Sequence, residues 1–98
     1  MEKYKVVTLC GSVKFKSEFF ALQKQLTMSG FIVLMPNFLD DVEYTHELKD
    51  MLSNMHKQKI AMSDEIFIVN KNGYIGDSTK SEIEFAKNLN IKVNYLEK

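Results

Sequence analysis

The sequence predicts an α/β domain, and three observations carry the prediction. Four short apolar runs, "YKVVTLC" (4–10), "FIVLM" (31–35), "EIFIV" (65–69) and "IKVNYL" (91–96), are of strand length and rich in β-branched or aromatic residues. The segments between them place apolar residues at helical spacing. At 98 residues the chain has room for one core, so 1–98 reads as a single domain. Strand alternating with helix gives β-α-β-α-β-α-β, whose right-handed crossovers build a parallel sheet. The expected architecture is a Rossmann-like (flavodoxin-like) three-layer sandwich with four parallel strands in the order 2-1-3-4.

Each element has its own warrant. The first run is almost wholly apolar, as a central strand covered on both faces requires. Phe15, Phe19, Leu22 and Leu26 then recur at i, i+4, i+7 and i+11, and Gly30 supplies a stop. The second run is as apolar as the first, yet the strand order puts it at an edge. An open apolar edge invites pairing, so a homodimer contact is expected there. The stretch "PNFLDDVEY" (36–44) is irregular. Leu48, Met51, Leu52 and Met55 form the stripe of the second helix, which Ile60 extends. After the third strand, Phe85, Ala86 and Leu89 mark the third helix, and "TKSE" (79–82) reads as a capping box with Thr79 as N-cap. The last run alternates, with Ile91, Val93 and Tyr95 against Lys92 and Asn94, which suits the other edge.

Composition excludes several function classes. The hydrophobic share is 45% and the charged share 27%, as in an ordinary soluble globular protein. Formal net charge is zero and the lysines are scattered, which argues against a nucleic-acid polymer as partner. A single cysteine forms no internal disulfide, no apolar run approaches 18 residues, and the N-terminus is unlike a signal. A cytoplasmic protein with no membrane contact is the reading. No cofactor or metal is implied: His46, His56 and Asp50 offer no convergent ligand set by spacing, and Cys10 has no histidine placed to activate it.

In an open parallel sheet, ligands bind beyond the carboxyl ends of the strands where the strand order reverses. With order 2-1-3-4 that point lies between strands 1 and 3. Two loops frame it, "CGSVK" (10–14) and "NKNGYIGDST" (70–79), both leading to helix N-termini that favour an anion. Asp64 and Glu65 begin strand 3 at the far end of the sheet, which removes them as candidates. Glu82 starts the apolar side of the third helix and points towards the switch point. Glu84, about 200° further around the helix, faces solvent. Spacing alone leaves Glu82 open between a capping role and a functional one, with an N-terminal position favouring the ionised carboxylate. His56, between Leu52 and Ile60 on the buried stripe, is either a structural histidine or a contact to ligand. Tyr74 either stacks on a base or packs over the cleft edge.

The segments "TLCGSVKFKSEF" and "SDEIFIVNKNGYIGDSTKSEIEFAKNLNIKVNYLE" resemble the nucleoside 2-deoxyribosyltransferase superfamily, which includes nucleoside 5′-monophosphate N-glycosidases. The resemblance implies a flavodoxin-like fold and cleavage of the bond between base and sugar. It makes Glu82 the nucleophile of a covalent glycosyl-enzyme. It places Gly11, Ser12 and Lys14 in the loop that holds a 5′-phosphate. His56 stands where many relatives have an active-site aspartate, and Gly76 where catalytic relatives carry an Asp or Ser. The sequence thus points to N-glycosidic cleavage or transfer on a nucleoside or nucleotide. Glu82 and His56 are the catalytic candidates, and Gly11, Ser12, Lys14, Asn70, Tyr74, Gly76, Ser78 and Thr79 line the substrate site. The alternative is a nucleotide-binding module of the same fold that has lost catalysis.

Overall fold

The computed structural model describes residues 2–98. At its centre is β1 (Val6–Cys10), buried along nearly its whole length and flanked by β2 (Ile32–Leu34) on one side and β3 (Glu65–Ile68) on the other. β4 (Lys92–Tyr95) pairs with β3 at the far edge, giving four parallel strands in the order β2-β1-β3-β4. This is the order expected from the sequence. The register sets Val7 against Glu65 and Cys10 against Ile68, so β1 and β3 end together at the carboxyl edge. There Val69 N–H donates to the Cys10 carbonyl at 2.7 Å.

Alternation along the strands separates two apolar layers. Leu9, with Val69, packs against Phe15, Phe19 and Leu22 of the first helical segment. Cys10, Ile66 and Ile68 face the other way, onto Ile60, Ile83 and Ala86. Helix α1 (Lys16–Met28), entered through a 3-10 turn at Val13–Phe15, therefore covers one face. Helices α2 (His46–Ala61) and α3 (Asp77–Asn88) cover the other, completing three layers.

The helix ends follow from local chemistry. α1 closes where Phe31 N–H donates back to the Leu26 carbonyl at 3.0 Å, with Gly30 at φ +94° making the reversal. α2 opens on the Thr45 hydroxyl, which accepts from Leu48 N–H at 3.1 Å. Its other end is pinned to the sheet: the Thr8 and Ser63 hydroxyls, 2.6 Å apart, meet at the Lys59 carbonyl (3.1 and 2.8 Å). At the amino edge Asp64 accepts from Val6 N–H at 2.8 Å, tying β1 far from the switch point.

Four sequence expectations need correction. Met51 and Met55 of the expected α2 stripe are exposed, and the helix buries His56 and Ile60. α3 begins at Asp77 with Gly76 as N-cap, three residues earlier than the capping box implied. Asp77 can occupy the first turn because its charge complements the helix dipole, so Thr79 moves into the helix and is buried. Glu82 then lies in the second turn and has no capping role. Leu89 caps the end of α3 and is 47% exposed; the buried stripe is Thr79, Ile83 and Ala86. The fourth strand keeps its edge position, but Asn94 is drawn inward by hydrogen bonds to Glu65 Oε1 (2.8 Å) and the Ile66 carbonyl (3.2 Å).

Candidate active site

β1 and β3 stop side by side, and the loops that leave them diverge to opposite faces of the sheet. Gly11 makes the first departure possible. A Cβ at this residue would lie 2.8 Å from the Val69 carbonyl oxygen and 3.3 Å from the Phe19 ring, in a backbone conformation at φ +155°. Only glycine lets the loop pass this close to the end of β3. Above it opens a cavity of about 770 Å³, within the range of small-molecule sites. The loops after β1 and β3 form one side. α2, α3 and the irregular 36–44 segment form the rest.

Glu82 reaches the floor from α3 and His56 from α2. His56 Nε2 lies 3.7 Å from Glu82 Oε1, and both side chains are largely withdrawn from solvent. Burial shapes both charges. It pushes the Glu82 carboxyl up to about 7, against smaller opposing effects from the Cys10 thiol and the Lys57 charge. It pushes His56 down to about 4, helped by the nearby Lys59 ammonium. The dipole argument for a fully ionised Glu82 therefore gives way to desolvation, because the carboxyl sits past the first turn, where the dipole effect fades. At neutral pH the imidazole carries no charge. Neither of its ring nitrogens has a hydrogen-bond partner among the described residues.

Cys10 lies beneath this pair. Its Sγ, a nitrogen of His56 and a carboxylate oxygen of Glu82 all fall within 4.8 Å of one another. Spacing along the chain hid this grouping, because its members come from three separate elements. Histidine does stand beside the cysteine, contrary to the sequence reading. Burial, and then the Glu82 charge, holds the thiol pKa well above its ordinary value, so Cys10 is no thiolate nucleophile.

The other candidates divide. Gly11, Ser12, Tyr74, Gly76, Ser78 and Thr79 line the cavity with Glu82 and His56. Ser12 accepts from Lys14 N–H at 3.3 Å, which fixes the loop turn. Lys14 itself is outside the lining. Its ammonium sits 3.5 Å from the centroid of the Tyr74 ring, drawn to the aromatic face. Asn70 is also outside the lining and buried: its amide donates to the Glu97 carbonyl at 2.8 Å and accepts from Glu97 N–H at 2.9 Å. That pairing holds the segment after β4 and commits the Asn70 amide to the chain, away from the cavity lining.

Two lysines that the sequence reading passed over, Lys16 and Lys49, do line the cavity. Lys59 lines it as well, with its ammonium donating to the Met35 carbonyl at 2.9 Å. Phe38 and Tyr44 come from the irregular segment, where no periodicity marks them. The Tyr44 hydroxyl bonds back to the Leu39 carbonyl at 2.9 Å. Outside the lining, Lys71 and Glu18 form a 2.7 Å ion pair between the second loop and α1. As expected, Glu84 is exposed.

The family described as "Domain of unknown function (DUF4406)" matches residues 2–95. The chain belongs to this family. No curated protein sequence matches this DUF4406 chain. Among solved structures it is similar to a 2-deoxyribosyltransferase from the psychrotolerant bacterium Bacillus psychrosaccharolyticus, described as a biocatalyst for nucleoside synthesis. The two superpose with a TM-score of 0.74 at 20% identity, over 92% of this chain and 70% of that one. The resemblance read from the sequence is borne out at the level of the fold. Among the described residues, no helix is long and apolar enough to cross a membrane.

Proposed function

We propose that this chain cleaves or transfers the N-glycosidic bond of a nucleoside or nucleoside 5′-monophosphate, with Glu82 as nucleophile. The observation that carries the proposal is the Glu82 carboxyl: largely withdrawn from solvent at the sheet's switch point, free of any capping role and open to a cavity of nucleotide size. The fold of a 2-deoxyribosyltransferase supports the same chemistry.

In the first step a Glu82 oxygen attacks the anomeric carbon, and the carbon–nitrogen bond breaks with its electron pair going to the base. In the second, water or another base attacks the same carbon, the carbon–oxygen bond to Glu82 breaks with its pair returning to the carboxylate, and the attacking group's proton goes to solvent or to the departed base, so configuration is retained. A carboxylate with a raised pKa is a stronger nucleophile once ionised, and near neutral pH much of the population is ionised. His56 is uncharged there, so its part is a hydrogen bond to the ligand rather than delivery of a proton from imidazolium. Tyr74 and Phe38 offer aromatic faces for the base. α3 begins without a side-chain cap, so its first N–H groups are available to a phosphate, and Ser78 adds a hydroxyl. Lys16 and Lys49 supply positive charge from the opposite walls. No cofactor enters this scheme. The working unit is a homodimer joined through the apolar β2 edge, where Ile32 is half exposed.

The second reading is a nucleotide-binding module without cleavage. It is favoured by Gly76, which brings no side chain to the cavity, and by the uncharged His56. Incubation with a panel of nucleosides and their monophosphates, followed by chromatography for free base, separates the two. Base release lost in Glu82→Gln supports the enzyme. Thermal stabilisation by a nucleotide without base release supports the module.

A further inference from the structure

We propose that Cys10, His56 and Glu82 form a three-ligand site for a zinc ion, and that zinc bound there takes Glu82 out of reach of a ligand in the cavity. The site itself stands on the geometry alone. Only the blocking consequence rests on the glycosidic reading.

The donors converge from three elements packed in the core: the end of β1, the second-last turn of α2 and the second turn of α3. Their ligand atoms all lie within 4.8 Å of one another, with His56 and Glu82 already at 3.7 Å. A tetrahedral zinc ion with bonds of about 2.0–2.3 Å spaces its ligands about 3.3–3.6 Å apart, so side-chain rotations of about an ångström complete the cluster. The donor set chooses the metal. A sulfur, an imidazole nitrogen and a carboxylate oxygen suit a borderline-soft ion; calcium and magnesium require shells of oxygen.

His56 gives the independent observation. It is only 7% exposed, and neither ring nitrogen finds a partner among the described residues. Buried polar atoms in a folded protein are rarely left so. A metal bond to one of these nitrogens resolves the deficit. Cys10 is fully buried behind the other two, while His56 and Glu82 line the cavity. An ion therefore enters from the cavity and keeps its fourth position facing it, open to water. On binding, the Cys10 sulfur exchanges its proton for the metal, and that proton goes to solvent.

Cobalt(II), a spectroscopic stand-in for zinc, tests the site in the purified chain. The expected result is an intense near-ultraviolet thiolate-to-cobalt absorption with visible bands of tetrahedral strength, both abolished by one equivalent of zinc. Cys10→Ser should lose the thiolate absorption. Since loss of even an outer partner of a metal ligand costs about 10–100-fold in affinity, Cys10→Ser and Glu82→Gln should each weaken zinc binding by at least about tenfold in calorimetry. His46→Ala, which removes the exposed 3.3 Å contact between His46 and Asp50, should bind as the unaltered chain does. Absence of the thiolate absorption in the unaltered chain overturns the site, whether or not any variant folds. So does zinc affinity that falls with His46→Ala and not with Cys10→Ser. Base release by the zinc-free chain is scored separately, so the metal site and the glycosidic reading can fail independently.

Discussion

Glu82 Oε1 and His56 Nε2 face each other across 3.7 Å in the interior of the cleft, yet burial suppresses the charge on both. With a folded-state pKa near 7 against an ordinary 4.5, Glu82 keeps a proton in the folded chain that the unfolded chain has already lost. Its contribution to stability is fully present below about pH 4.5 and is lost as pH rises towards 7. His56 runs the other way: its folded pKa near 4 lies below the ordinary 6.5, so its contribution is present above 6.5 and lost as pH falls towards 4.

Glu82→Gln should therefore change the pH dependence of stability in one direction. Relative to the unaltered chain, the variant gains stability between pH 4.5 and 7 and keeps a constant advantage above. The change across that window is up to about 3 kcal/mol, from roughly 1.4 kcal/mol per pKa unit. Urea unfolding at a series of pH values measures it. A difference between the two proteins that does not vary with pH would mean that Glu82 titrates normally.

The same carboxyl governs activity in the proposed reaction. The kcat/KM for base release should rise with pH along a limb centred near 7, because the free enzyme must lose the Glu82 proton to attack. Glu82→Gln should abolish release, while Glu84→Gln, at an exposed position, should retain it. Rates from pH 5 to 9 check both; unchanged release by Glu82→Gln ends the proposal.

Phosphate selectivity should follow the lysines that line the cavity. A charge-assisted hydrogen bond contributes about 1.5–3 kcal/mol, and roughly 1.4 kcal/mol is tenfold in affinity. Lys16→Ala and Lys49→Ala should each weaken a monophosphate by about tenfold and leave the matching nucleoside nearly unchanged. Lys14→Ala should affect the two alike, because its ammonium sits on the Tyr74 ring outside the cavity lining. Titration calorimetry on a matched pair decides it.

Gly11→Ala should cost about 2 kcal/mol or more, since the new methyl group would meet the Val69 backbone carbonyl, which has no room to move. Gly76→Ala should be far milder. Its backbone conformation suits alanine, and the nearest atom is the hydroxyl at the far end of the half-exposed Tyr74 side chain, at 3.2 Å. Thermal melts of the two variants provide the comparison.

A homodimer should be seen by sedimentation at micromolar concentration, and Ile32→Lys should convert it to monomer. A monomeric unaltered chain would show that the β2 edge is left unpaired in solution.

The strand order and the buried face of α1 were legible because each rests on a periodic signal: Val7, Leu9, Phe19, Leu22 and Ile66 are buried where the apolar positions place them, whereas Met51 and Met55 of α2 and Leu89 of α3 are exposed. The position of Glu82 at the switch point followed from the same topology. What the sequence concealed was tertiary. Cys10, His56 and Glu82 are separated by 46 and 26 residues, and only the packing of α2 and α3 on one face brings them together. The start of α3 was misplaced because Gly76 outcompeted Thr79 as the N-cap, although "TKSE" is the better motif on paper. Asn70 and Lys14 carried suitable groups in suitable loops, but Glu97 and Tyr74 had already claimed them. Lys49, Phe38 and Tyr44 reach the cavity from or beside a segment without any repeat to mark it.

The uneven fastening of α2 makes it a lever. Thr8 and Ser63 grip it at Lys59, whereas its first two turns bury no residue. At 1.5 Å per residue, His56 stands about 4.5 Å from that fulcrum and Lys49 about 15 Å. A small tilt of the helix therefore swings Lys49 roughly three times as far as His56. Any opening at the rim would thus reach the distance between His56 and Glu82 at about a third of its size. The rim and the floor of the cleft are geared to one another, and a single pair of hydroxyls at the base of the helix sets the ratio.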